Sequence, residues 1–384
     1  MQTELLNLIQ LIHKTPYKIV MATAGAGTQA LSDLIAVEGA SNTLIEARVP
    51  YSKDAFVDFV GGNLKKFVSP KAARLLAGGA FYRAQQLANQ YPNSENLIGL
   101  ACSASIATNR PKRGDHHAWI VTWQRNQIVQ VHITLEKGKR SRSQEEALIS
   151  KIIINLLAKA CGLSNQIPLN LTKQDSMQVR TRSHALAVDD FLAGKSKFVQ
   201  IHAHGKAKTS NIDPKILLPG SFNPLHQGHI ELAAAASRFL GSPVTFEISA
   251  LNVDKPPLSC EVLLSRIAQL AGHYSVIITG EPTFLGKARL FPEAVFVIGF
   301  DTAERVLMPK YYQNSEAKMQ AALVELQTLG CRFLVAGRKG KDGVYSRPEN
   351  LKPPVEFADL FISIPDGLFR RDISSTELRR NSEL

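Results

Sequence analysis

The chain contains no run of 18 or more apolar residues, so it offers no candidate for a membrane-spanning helix. Its start, Met1 to Lys18, lacks the basic opening and small-residue cleavage site of a signal peptide. Leu5, Leu6, Leu8, Ile9, Leu11 and Ile12 make it a short amphipathic surface helix instead. Cysteine is scarce. Cys102, Cys161, Cys260 and Cys331 include no CxxC pair, which argues against a zinc site or a disulfide framework and for reduced thiols in the cytoplasm. The basic residues come with no recognition helix, zinc finger or RNP-like aromatic pattern, so nucleic acid is disfavoured as a partner.

What is present points to a globular α/β protein. A length of 384 residues suits two domains, and 45% hydrophobic content supplies a sizeable core. The net charge of +12 suits anionic partners such as nucleotides and phosphorylated metabolites. Basic residues are scattered, apart from Arg110-Pro111-Lys112-Arg113 and the stretch from Lys137 to Arg142.

From residue 19 to 24 the chain reads as a strand ending in small residues. Gly25-Ala26-Gly27-Thr28 and a helix-like segment follow. That order would suit a phosphate cradle but more often marks a helix packed closely on a strand. Residues 117–123 and 127–135 alternate like two antiparallel strands joined by a hairpin, and 143–160 is an amphipathic helix ending at Gly162. The stretch 166–211 connects the two parts, with its own short helix at 185–193 and strand at 198–202. His202 and His204 have no acidic or cysteine neighbour in sequence and read as surface strand histidines, not metal ligands. From Asp213 strands and helices alternate, which predicts a doubly wound parallel sheet with ligands at the carboxyl ends of its strands.

The chemistry is expected at Gly220-Ser221-Phe222-Asn223-Pro224-Leu225-His226-Gln227-Gly228-His229. A buried strand precedes it and a helix follows it. The unpaired N–H groups and positive dipole end of that helix attract phosphate, and two imidazoles placed there can donate to phosphate oxygens. About 145 residues further on, Ile373-Ser374-Ser375-Thr376-Glu377-Leu378-Arg379 forms a second polar helix start with an arginine one turn later.

These two pieces resemble the GSFNPxHxGH and ISSTxxR signatures of the nucleotidylyltransferase superfamily, whose domains are Rossmann-like. The resemblance covers residues 212–384. It implies a transfer in which positioning and electrostatics do the work, with no covalent intermediate. By it, His226 and His229 hold phosphate oxygens and His229 supports the transition state at the α-phosphate. Arg379 clamps the β- and γ-phosphates, Ser375 and Thr376 supply donors, and Gly220, Ser221, Phe222, Asn223 and Gly228 shape the nucleotide side. Gly299-Phe300-Asp301 resembles the GxD that holds the adenosine. The run Arg370 to Thr376 is closer to adenylyltransferases than to cytidylyltransferases of lipid synthesis, and Phe222-Asn223-Pro224 resembles NMN adenylyltransferases more than phosphopantetheine adenylyltransferases. Lys255 falls where the acceptor loop carries a base. Tyr311 and Tyr312 stand where a tryptophan is often found, and would stack on the acceptor ring. Mg²⁺ is the implied cofactor, bridging phosphates with little direct protein ligation.

Residues 1–165 resemble the CinA C-terminal domain, a family of NMN deamidases. The resemblance rests on Ala22 to Thr28, Val37-Glu38-Gly39-Ala40-Ser41, Val49-Pro50-Tyr51-Ser52 and the helix after Lys137-Gly138. The family's ATAESCTGG places its serine on Ala26, its glutamate on Gly25 and its paired glycines on Gln29 and Ala30. Its lysine falls on Phe56, and its later threonine falls near Ser103 and Ser105. Alanine cannot act as a nucleophile, so the resemblance implies a lost deamidase activity. Together the two halves imply a cytoplasmic enzyme of NAD biosynthesis. It would join ATP to NMN or another phosphorylated acceptor, and homo-oligomer formation is open. A cytidylyltransferase on a different acceptor and a non-catalytic nucleotide sensor are the alternatives.

Overall fold

Apolar runs of strand length alternate with amphipathic helical ones, and the computed structural model assembles them into two principal sheets. The structure describes residues 3–88, 96–109, 113–251, 256–339, 345–346, 348–365 and 367–370. The chain divides into two units. One is Met1–Asp189 with Ile201–Ala207 and Ile267–His273, and the other is Asp190–Gln200, Lys208–Arg266 and Tyr274–Leu384.

The first unit contains α1 (Thr3–His13), β1 (Lys18–Ala24), α2 (Thr28–Ile35), β2 (Leu44–Arg48), α3 (Lys53–Val60), α4 (Pro70–Ala88), β3 (Leu97–Ser105), β4 (His116–Trp123), β5 (Gln127–Leu135), α5 (Arg142–Ala160) and β6 (Ser176–Ser183). Its six strands run in the order β2-β1-β3-β4-β5-β6. β1 is parallel to β2 and β3, and the remainder is an antiparallel meander that includes the expected hairpin. Each sheet face buries its own core. Side chains of α1, α2 and α5 cover one, and the alanine-rich α4 covers the other. Gly99 shows why α4 carries small residues: a Cβ there would lie 2.1 Å from the Ala77 carbonyl oxygen. α5 starts on a capping box in which Ser141 and Gln144 satisfy each other's backbone N–H.

The second unit's sheet has eight strands: β7 (Phe198–Ile201), β8 (Ala207–Lys208), β9 (Ile216–Pro219), β10 (Thr245–Ser249), β11 (Ser275–Thr279), β12 (Val295–Gly299), β13 (Arg332–Ala336) and, after the two-residue pair β14 (Arg338–Lys339) and β15 (Tyr345–Ser346), β16 (Phe361–Ser363). Their order is β16-β13-β12-β9-β10-β11-β7-β8. The core from β16 to β11 is parallel, as the strand–helix alternation predicts. Crossovers are made by α7 (Gln227–Leu240), α8 (Cys260–Ala268), α9 (Phe284–Leu290), α10 (Phe300–Val306) and α11 (Glu316–Thr328). Chain order reverses between β9 and β12, and in parallel sheets such a switch point is where ligands bind, at the strands' carboxyl ends. The stretch expected to connect the parts is built into both sheets: β6 is the outer strand of the first, α6 (His184–Leu192) follows, and β7 and β8 extend the second.

Candidate active site

β9 drives its apolar residues Ile216, Leu217 and Leu218 into the sheet, and the chain leaves the sheet at Gly220. The Gly220 N–H still donates to the Glu247 carbonyl of β10 at 2.9 Å, which ties the turn to the sheet. A Cβ on Gly220 would stand 2.6 Å from the Phe222 ring. Phe222 has a left-handed backbone (φ 44) and is only 1% exposed, so burial of its ring offsets a strained conformation. That ring lies edge-on to both His229 and Phe246, each with centroids 5.0 Å away. The glycine therefore makes room for the protein's own aromatic ring, a role the sequence did not reveal. Ser221 and Asn223 stay exposed on the turn.

His226 is the N-cap of α7 and His229 its third residue, with Gly228 half-buried between them. Their rings stack with centroids 3.7 Å apart and planes at 23°. The His226 backbone N–H donates to His229 Nδ1 at 3.3 Å. With Nδ1 accepting, the proton of a neutral His229 sits on Nε2, and that edge is a donor. Burial, and then the neighbouring His226, pushes the His229 pKa down to about 3. The ring is thus neutral near pH 7 until an anion arrives to favour its charged form.

The Gly299–Asp301 turn leaves the strand next to the one that carries the His226–His229 turn. Gly299 ends β12 and caps α10, and Asp301 occupies that helix's first turn. Because β12 is the direct neighbour of β9, both loops leave adjacent strand ends. The two tyrosines separate. Tyr311 is 50% exposed with the Lys310 ammonium over its ring, whereas the Tyr312 hydroxyl donates to the Val306 carbonyl at 2.9 Å and its ring packs against the core. Lys255, Ser375, Thr376 and Arg379 lie outside the described residues.

Sequence reasoning missed a buried network behind the turn. Glu247 on β10 is fully buried, and the Lys287 ammonium on α9 reaches its carboxylate at 2.8 Å. Thr279 on β11 donates to the same carboxylate at 2.6 Å. The one signal was an acid inside the otherwise strand-like run from Val244 to Ile248.

Among the described residues no group of three or more His, Cys, Asp or Glu side chains is placed to hold a metal. His226 and His229 offer nitrogen where Mg²⁺ takes oxygen. A Mg²⁺ bound mainly through the substrate's phosphates needs no such group. His202 and His204 flank a tight turn instead of lying on a strand, with rings 5.2 Å apart, and burial followed by the charge of Arg74 lowers His204 to about 4.

In the first unit, the turn at Gly25 to Thr28 does not stand open as an anion cradle. The Glu146 carboxylate of α5 accepts from the Gly27 N–H at 2.9 Å, the Gln29 N–H at 3.0 Å and the Thr28 hydroxyl at 3.2 Å. The donors of the α2 N-terminus are therefore satisfied from within. Ala26, where the CinA resemblance expects a serine, belongs to the core, and Phe56, where it expects a lysine, packs edge-on to Phe67. The Ser103 hydroxyl is committed to the Phe67 carbonyl at 2.7 Å. A cleft of about 550 Å³ remains beside this turn, between Thr23, Tyr51 and Arg142.

Residues 217–381 match the family model described as Cytidylyltransferase-like. A Schizosaccharomyces pombe protein provisionally named nicotinamide mononucleotide adenylyltransferase is 32% identical over 123 residues, covering 29% of this chain. The match spans about half of that relative's length, 48%. Among solved structures, a CinA-superfamily protein from Escherichia coli aligns with 42% of this chain and 93% of its own at 16% identity and a TM-score of 0.34. The competence/damage-inducible protein CihA from Agrobacterium tumefaciens aligns with 42% and 97% at 19% identity and a TM-score of 0.33. No helix among the described residues is long and apolar enough to cross a membrane.

Proposed function

We propose, from a chain whose residues 217–381 are Cytidylyltransferase-like, that the protein is a nucleotidylyltransferase joining ATP to a phosphorylated acceptor, with NMN as the acceptor and NAD and pyrophosphate as products. The observation that carries this is the stacked His226–His229 pair at the start of α7, beside Gly299 and Asp301 at the switch point. A phosphate oxygen of the acceptor attacks the α-phosphorus of ATP. One P–O bond forms, the bond to the bridging β-oxygen breaks, and pyrophosphate leaves with that electron pair. His229, with Nε2 carrying its proton, donates to the α-phosphate as negative charge builds. The α7 N-terminus adds its dipole to the same oxygens. Asp301 would accept from the ribose of ATP. Mg²⁺, when bound, would neutralise phosphate charge. It would travel on the triphosphate, and no step above depends on it.

The NMN-linked relative and the Phe222-Asn223-Pro224 turn favour ATP and NMN over CTP and other acceptors. The test is incubation of the full chain with Mg²⁺, ATP or CTP, and NMN or other phosphorylated acceptors, following pyrophosphate and dinucleotide. NAD from ATP and NMN is expected. CTP turnover with a different acceptor would change the substrate assignment. Tight ATP binding with no turnover on any acceptor would make the protein a sensor.

A further inference from the structure

The nucleotide-side motifs use only part of the parallel sheet. The His226–His229 turn leaves β9 and the Gly299–Asp301 turn leaves β12, whereas β10 and β11 lie on the other side of β9. At the carboxyl ends of those two strands is a separate cleft of about 470 Å³. Its volume is that of a small-molecule site. Leu251 follows β10, and Glu281 follows β11. The rest of the lining includes Phe191 and Leu192 at the end of α6 and Ser196 and Lys197 before β7.

The cleft's surface is composed for a ligand that is apolar on its faces and polar at its edge. Leu192 and Leu251, 40% and 42% exposed, put apolar surface on the cleft. The Ser196 hydroxyl has no hydrogen-bond partner among the described residues and almost no contact with solvent. Glu281 is held on both sides. Its carbonyl accepts from the Ser249 hydroxyl at 2.9 Å, and its carboxylate lies so close to Gly286 that a Cβ there would stand 2.1 Å away. A fixed carboxylate suits a sugar diol, and an unused hydroxyl suits a ring substituent with a donor and an acceptor.

Resting on the transferase reading above, we infer that this cleft receives the nucleoside end of the acceptor, a planar heterocycle on a ribose. The segment Phe191 to Lys197, upstream of the transferase motifs, is then a determinant of acceptor specificity. Leu192 and Leu251 cover the ring faces, Ser196 bonds the ring substituent, Glu281 accepts from the ribose, and Lys197 adds positive charge at the cleft wall.

The test uses the full chain with Leu192→Asp and Ser196→Ala. Leu192 is exposed and the serine change is small, so neither threatens folding. Steady-state kinetics should show the acceptor KM raised about tenfold or more, with the ATP KM and kcat close to wild type. Calorimetric titration with nicotinamide riboside, the acceptor nucleoside without its phosphate, should show weaker binding to both variants. Turnover with wild-type acceptor KM in both variants would overturn the inference and leave the transferase reading intact. Failure of the wild type to turn over any acceptor would sink the transferase reading. The riboside titration then decides the cleft by itself: binding lost in both variants supports it, and no binding, or binding equal to wild type, overturns it.

Discussion

His226 and His229 stack face to face with centroids 3.7 Å apart, and the backbone N–H of the first donates to Nδ1 of the second. One contact fixes the plane of His229, and the other fixes its tautomer. The donor edge is therefore oriented before any phosphate arrives, and an oriented donor gives up little entropy when it is used.

His229→Ala removes that donor and the ring on which Phe222 packs. The kcat for nucleotidyl transfer is expected to fall roughly 10²- to 10³-fold, a loss typical of removing one oriented donor. His229→Asn, which retains a side-chain N–H, should recover part of it. Steady-state rates with matched thermal melts separate this effect from unfolding.

The low pKa of His229 also predicts how stability responds to acid. The ring stays neutral in the folded protein down to about pH 3, while in the unfolded chain it gains a proton below about 6.5. Its contribution is fully present above 6.5 and is lost as pH falls from there toward 3, by at most about 1.4 kcal/mol per pH unit before solvent screening reduces it. Urea midpoints of wild type and His229→Asn should therefore diverge less at pH 5 than at pH 8. Bound triphosphate reverses the preference, so ATP affinity should strengthen as pH is lowered from 8 to 6.

Gly220→Ala places a methyl group against the Phe222 ring, 2.6 Å from its nearest atom. Overpacking of this kind is expected to cost about 1–3 kcal/mol and to displace the ring that supports His229. Adding Phe222→Leu should recover stability without full activity. Denaturation and kinetics on the single and double variants provide the check.

Lys287→Met would leave Glu247 buried beside the turn without its cation. The expected cost is about 3–5 kcal/mol, the usual result of breaking a buried pair from one side. Glu247→Gln combined with Lys287→Met should be milder than the sum of the single changes. A double-mutant cycle measures the coupling.

Glu146→Ala would strip the acceptor from the Gly27 and Gln29 N–H groups. A loss of about 1–3 kcal/mol is expected from the unmet donors. Transferase kcat should stay at the wild-type value, because the described hydrogen bonds of Glu146 all go to the first unit's own turn. A thermal melt and an activity assay on one preparation test both statements.

The order of strands and helices was legible because each apolar run has the length and period of its element, as at residues 216–219 and 227–240. The place of the candidate site was legible for the same reason. A strand, a glycine turn and a helix start must put His226 and His229 at a strand's carboxyl end. The substitution of alanine at position 26 could be read directly, since side-chain chemistry needs no fold to be known. The separation of Tyr311 from Tyr312 could not be read, because it depends on which side of a single helical turn faces the core.

The sequence by itself determined the alternation, the two motif-bearing turns and the alanine at position 26, all of which are local in the chain. Only the tertiary structure decided which distant groups meet. Glu146 reaches Gly27 across 119 positions, Glu247 finds Lys287 from a neighbouring layer, and Phe222 accepts a left-handed backbone so that its ring can lie under His229. These pairings follow from strand order and from the burial they allow, and neither is written in the spacing of residues along the chain.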